Sequence, residues 1–201
     1  MNTRRAVAVV GLVACLASRA LGDESPRALV QKMTETAVEI LGNKSLSGEQ
    51  KRHQIEDLAY ANIDFDVMSR LVLARNWSQL SAAQQTEFVK LFKEHLALTY
   101  GRNLENYNNE KVEVVGDRDE GHGDWTVKTK ILRGGGNADV LVDYRLRQVN
   151  GVWRVIDVVI ERVSLVANFR SQFQEIMSNG GATRLLDVLR EKNTKGEPLK
   201  S

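Results

Sequence analysis

Three histidines, at positions 53, 95 and 122, and one cysteine, Cys15, have the widest chemical range of any residues in this chain, and no two of them have metal-ligand spacing. His95 falls on the apolar side of a helical pattern and reads as a core histidine. Gly134-Gly135-Gly136 has the glycine density of a phosphate loop, but it joins two strand patterns and no Lys-Ser/Thr follows, so it reads as a hairpin connection. Ser164 follows Arg162-Val163 rather than completing Gly-x-Ser-x-Gly, and it reads as a helix cap, with Asn168 and Arg170 as surface or rim groups. Asp157 is the one acid on an otherwise apolar strand able to act inside a cavity, with Tyr144 as its donor partner. That pair is the whole case for an enzyme, so the functional surface is sought among apolar residues.

Residues 151–173, GVWRVIDVVIERVSLVANFRSQF, carry the strongest apolar signal. Strict alternation places Val152, Ile156, Val158 and Ile160 on one face of a strand and Trp153, Val155 and Val159 on the other. Neither face is a water face, so both need a cover of packed helix or bound apolar ligand. The preceding strand alternates Ala138, Val140, Val142, Tyr144 and Leu146 with mostly charged residues, and Trp125, Val127 and Ile131 repeat the pattern one strand earlier. A cavity wall and a protein core have the same composition, so periodicity leaves both readings open.

The elements that position these residues follow from caps and period. Ser25-Pro26 opens a helix that ends at Gly42; a second spans Glu49 to Ala61; Asp64 caps a third with a broad apolar face at Phe65, Met68 and Val72; Ser81 opens a fourth, reaching about Tyr107 with Tyr100 turned inward. The period then changes to two. Lys111–Val115, Asp124–Leu132, Ala138–Gln148 and Val152–Ile160 read as four strands, the last two joined by Asn150-Gly151, a strong tight-turn signal. Helices over Ala167–Met177 and Thr183–Glu191 flank Gly180-Gly181. The fold class is α+β: N-terminal helices, a curved four-stranded antiparallel sheet and C-terminal helices around an apolar cavity, in the manner of nuclear-transport-factor-like cones.

The first 22 residues have a basic start, a short apolar run and small residues before Asp23, the pattern of a secretory signal cleaved after Ala20 or Gly22. Leu12-Val13-Ala14-Cys15 offers a second route, with Cys15 lipidated. Residues 23–192 then form a single domain and residues 193–201 a polar, flexible tail. The chain has 28 Lys plus Arg against 26 Asp plus Glu; losing Arg4, Arg5 and Arg19 leaves 25 against 26. A near-neutral processed chain gives no basic stripe for nucleic acid.

The runs Ile63–Trp77 with Leu80–Phe88, and Gly151–Glu161 with Val163–Phe173, resemble the MlaC (toluene-tolerance) family of periplasmic phospholipid-binding proteins across essentially the whole processed chain. This chain departs from the family pattern at Ala74 and Arg162, where glycine is common, and at Phe169, where tyrosine is. The resemblance implies a non-enzymatic periplasmic carrier, without cofactor or metal, that maintains outer-membrane lipid asymmetry. Its partners would be an ABC transporter with an MCE-domain protein at the inner membrane and a lipoprotein complex at the outer membrane. Some members are associated with hopanoids, so a hopanoid or other apolar lipid is an alternative cargo, and an isomerase-like enzyme or a plain interaction module are alternative functions. Lipid chains are expected against Phe65, Met68, Val72, Tyr100, Trp125, Val127, Val140, Val142, Tyr144, Ile156, Val158, Phe169 and Phe173, with Arg162 and Ser164 on the pocket rim.

Overall fold

The computed structural model describes residues 24–101 and 107–199. The signal segment and Cys15 lie outside the described residues. Helix α1 (Pro26–Gly42) starts where Ser25 Oγ accepts from the Ala28 amide, and α2 (Gly48–Asn62) starts in a reciprocal capping box of Ser47 and Gln50. Asp64 caps α3 (Phe65–Leu73) by accepting from the Val67 amide at 2.8 Å. A 3-10 turn (Ala74–Gln79) leads to α4 (Ala82–Gly101). The expected continuation of α4 over residues 102–106 lies outside the described residues, and Tyr107 is not helical.

Five strands follow: β1 (Lys111–Gly121), β2 (Asp124–Leu132), β3 (Val140–Val149), β4 (Val152–Ile160) and β5 (Val163–Ser164). They form one antiparallel sheet in chain order. The sheet therefore has five strands rather than four, the fifth being a two-residue return along β4 through Glu161 and Arg162. Strand β1 is longer than expected because an edge strand tolerates the charges of Asp117–Glu120, with bulges after Val114 and Asp119. Asn150 and Gly151 both have positive φ, 51° and 80°, as a primed turn requires.

Helix α5 (Leu165–Lys195) kinks at Gly181, whose φ of 63° and ψ of −162° suit glycine alone, so the two expected helices are arms of one element. The second arm runs on to Lys195, and Leu199 beyond it is 9% exposed within the helical core, so the chain stays packed past residue 192. Two apolar cores result. One is helical: Met68, Val72, Phe88, Phe92, Phe169, Phe173 and Leu185 from α3, α4 and α5, with Phe169 and Phe92 ring centroids 5.1 Å apart. The other joins Leu29 and Val30 of α1 to Val127, Leu146 and Val155 of the sheet.

Strict alternation fails in β4. Arg145 pairs with Asp157 but Leu146 pairs with Val155, so Ile156 is an extra, bulged residue. Trp153, Val155 and Val158 consequently belong to the same core under α1, whereas alternation had separated Val158 from the other two.

Candidate functional site

Tyr144 stands at the centre of the inner sheet face, directly opposite Val127 on one side and Val158 on the other. Protein surrounds it, and the loss of water pushes its phenol up to about 12. Its side chain nevertheless stays only half-buried, and its hydroxyl finds no partner among the described residues. Tyr144 is thus set among apolar groups and still partly open at the surface. The two apolar cores share only Ile63 among the described residues.

The apolar face of α2 belongs to the same picture. Ile55, Leu58, Ala59 and Tyr60 are half-buried and no α2 residue is fully buried. The C-terminal half of α1 adds half-buried Val38, Ile40 and Leu41. Helical periodicity marks these faces as apolar, and what sets them apart in the structure is that they pack without sealing.

The structure divides the expected lipid-facing residues. Met68, Val72, Phe169 and Phe173 are sealed within the helical core, at 0–3% exposure. Val127 and Trp125 lie under α1, with Trp125 Nε1 donating to Asp117 at 3.1 Å and Asp117 held by Arg27 of α1 at 2.9 Å. Those two bonds, the Arg27 one first, keep the Asp117 carboxyl below its ordinary range. Ile156 is fully buried in the bulge. Val140, Tyr144, Val158, Tyr100 and Phe65 remain half-buried, and Val142 nearly sealed. Phe65 meets Tyr60 edge to face at 5.8 Å, with the Lys93 ammonium 3.4 Å above the Tyr60 ring.

Arg162 faces the outer side of the sheet, in a depression with Val115, Lys128, Leu141, Asp143 and Val159. This is the side away from Tyr144. Ser164 caps α5, accepting from the Ala167 amide and donating to Asp157 at 2.6 Å. Arg170 donates twice to the Leu71 carbonyl, at 3.0 and 2.7 Å, tying α5 to the end of α3. Among the described residues no group of three or more His, Cys, Asp or Glu side chains is arranged to hold a metal ion, and no helix is long and apolar enough to cross a membrane.

The model of the MlaC protein family matches residues 31–191. The chain belongs to the MlaC family. Over 190 residues it is 25% identical to the intermembrane phospholipid transport system binding protein MlaC of Haemophilus influenzae, covering 90% of this chain and 88% of that one. It is also 25% identical over 166 residues to the toluene tolerance protein ttg2D of Pseudomonas putida, covering 79% and 75%. Among solved structures, the phospholipid-binding protein of Ralstonia solanacearum, in complex with a phospholipid, superimposes with a TM-score of 0.76 at 26% identity, over 87% of this chain and 98% of that one.

The two MlaC-like runs fall on the elements that frame the interior: Ile63–Trp77 is α3 with the residue that bridges the two cores, and Gly151–Phe173 is β4 leading into α5. Two departures from the family pattern coincide with positive φ. Ala74 has φ 48° and ψ −122°, and Arg162 has φ 69°. Glycine is favoured in such backbone, so glycine at these positions has a conformational reason.

Proposed function

We propose that this protein is a soluble periplasmic lipid carrier, holding the acyl chains of a phospholipid against the inner sheet face around Val140, Val142, Tyr144 and Val158 and leaving the headgroup at the solvent edge. The observation that carries the reading is the match, at a TM-score of 0.76 and 26% identity, to a structure that holds a phospholipid. Family membership and the named function of the H. influenzae relative support it.

A carrier answers a physical need. A diacyl lipid exposes on the order of 30 methylenes, each worth ~0.8 kcal/mol on leaving water, so unassisted crossing of an aqueous compartment costs over roughly 20 kcal/mol. A dry interior removes most of that barrier. Release requires a state with lower lipid affinity, which docking on a membrane complex would supply. In this reading the donor and acceptor are an ABC transporter with an MCE-domain protein at the inner membrane and a lipoprotein complex at the outer membrane, reached after cleavage of residues 1–22.

Asp157 pairs with Arg145 on the outer side of the sheet, whereas Tyr144 faces inward. The acid and donor that an isomerase would need are thus on opposite faces. Native mass spectrometry of protein purified from its own periplasm, followed by lipid extraction, tests the carrier. A bound phospholipid is the expected result, a hopanoid would change the cargo, and protein that neither retains lipid nor takes it from vesicles would sink the reading.

A further inference from the structure

Helix α2 is fastened to the sheet at one end only. At its C-terminal end Arg154 donates to the Ala61 carbonyl, Ile63 bridges to Val155, and the Asp64 amide donates to the Val155 carbonyl at 2.9 Å, so Asn62–Asp64 is stitched to the sheet. At the N-terminal end the Lys51 ammonium donates to the Leu41 carbonyl at 2.6 Å, and no α2 side chain is fully buried. Depressions lie beside both ends. The one of about 420 Å³ at the stitched end is lined by Leu29, Met33, Leu58, Trp153 and Arg154. The one of about 610 Å³ at the loose end is lined by Leu41, Leu46, Lys51, Arg52, Gly101 and Tyr107.

We propose that the depression at the loose end of α2 is the portal through which lipid passes, with α2 swinging on its Asn62–Asp64 stitch, and that Arg52 there meets the anionic headgroup phosphate. The proposal rests on the carrier reading and adds a route and a contact to it. The lining suits a lipid in transit, with Leu41 and Leu46 for the chains and cations for the phosphate. Arg52 is available for this: its side chain is 48% exposed and its pairing with Glu56 is loose, at 3.7 Å. The Lys51–Leu41 bond then acts as the latch that must part. Glu49 shares the depression and sets a limit of one acid against the two cations.

A reversible lock tests the swing. A Cβ built on Gly101 lies 3.8 Å from Cγ of Arg52, the position a cysteine sulfur at residue 52 would take, and a disulfide closes that separation to about 3 Å, a shift of under about 1 Å. Once residues 1–22 are removed no native cysteine competes. Uptake is read from vesicles containing self-quenching fluorescent phosphatidylglycerol, comparing R52C/G101C oxidised and reduced; both states lack Arg52, so the comparison isolates the motion. Oxidation is expected to slow uptake about tenfold or more, with recovery on reduction. Equal rates in the two states overturn the portal, whereas a wild type that takes up no lipid overturns the carrier reading itself. Should the variant take up lipid in neither state, hydrogen exchange on the wild type decides. Amides of residues 48–58 that exchange faster than those of 88–96, and slow on lipid loading, support the portal; equal protection overturns it. Separately, Arg52→Gln is expected to slow uptake several-fold while the amount held at saturation stays the same, and an unchanged rate overturns the phosphate contact.

Discussion

Ser164 and Asp157 close the junction between the last long strand and the last helix: the serine hydroxyl donates to Asp157 Oδ2 at 2.6 Å, and the Val166 amide donates to Oδ1 at 3.0 Å. Asp157 is 1% exposed, so the carboxylate is committed to holding the first turn of α5. Replacing it with Asn leaves one amide nitrogen facing a donor. Asp157→Asn is expected to cost about 1–3 kcal/mol in thermal unfolding, with lipid uptake retained below the melting point. Uptake abolished in a folded variant would mean that this carboxylate does more than fasten the helix.

Of the six described non-glycine residues at positive φ, two stand where the family pattern has glycine. Ala74, at the end of α3, and Arg162, in the β4–β5 turn, each occupy positive φ, at a cost on the order of 1–3 kcal/mol that glycine avoids by lacking a Cβ, a gain offset in part by glycine's greater freedom in the unfolded chain. Ala74→Gly and Arg162→Gly are each expected to raise the melting temperature by about 2–4 °C. The larger effect belongs to Ala74, because its ψ of −122° lies outside the left-handed helical well. A lower melting temperature for Ala74→Gly would show that its surroundings relieve the strain.

Local signals predicted local structure well. Ser25-Pro26, the Asp64 cap and Asn150-Gly151 mark boundaries that the structure keeps, because each is decided by a hydrogen bond or a φ angle within a few residues. Long-range pairing was harder to read. The bulge at Ile156 exists only in the register of β4 against β3, and it moved Val158 to the Trp153 face without a mark in the local sequence. The same limit applies to the site. Phe169 and Val158 are equally apolar in sequence, yet one is sealed among three other phenylalanines and the other borders Tyr144. The length of α5 was missed because its last turn is polar outside, while Asn193 is held inward by His95.

His95 gives the fold a pH dependence. Asn193 Nδ2 donates to the Leu91 carbonyl, so its Oδ1 faces His95 and accepts from Nδ1–H at 2.9 Å, leaving Nε2 buried without a partner. Burial lowers the pKa below the ordinary 6.5, opposed by the Asn193 bond and aided by Lys192. The unfolded chain therefore takes up a proton at higher pH than the folded one. Stability from this group is complete above about pH 7 and is lost as pH falls through 6.5 toward the folded value. Melting curves from about pH 7.5 to 5 should show the decline, and His95→Gln should flatten it; an equal slope in both proteins would assign the dependence elsewhere.

Bulk added on the inner face separates cavity from core. Val158 is half-buried opposite Tyr144, so on the carrier reading Val158→Trp takes the space of the lipid chains and is expected to fold with a cooperative melt while losing lipid uptake from vesicles. Phe169 packs against Phe92 and Phe173 at 5.1 and 5.6 Å and is 3% exposed. Phe169→Ala is expected to behave in the opposite way, costing about 3–5 kcal/mol of stability while the remaining folded protein still takes up lipid. The two variants measured together, by denaturant melts and by uptake, decide which apolar surface the lipid uses. If Val158→Trp instead lost about 1–3 kcal/mol through overpacking and kept its lipid, the inner face beside Tyr144 would be ordinary core.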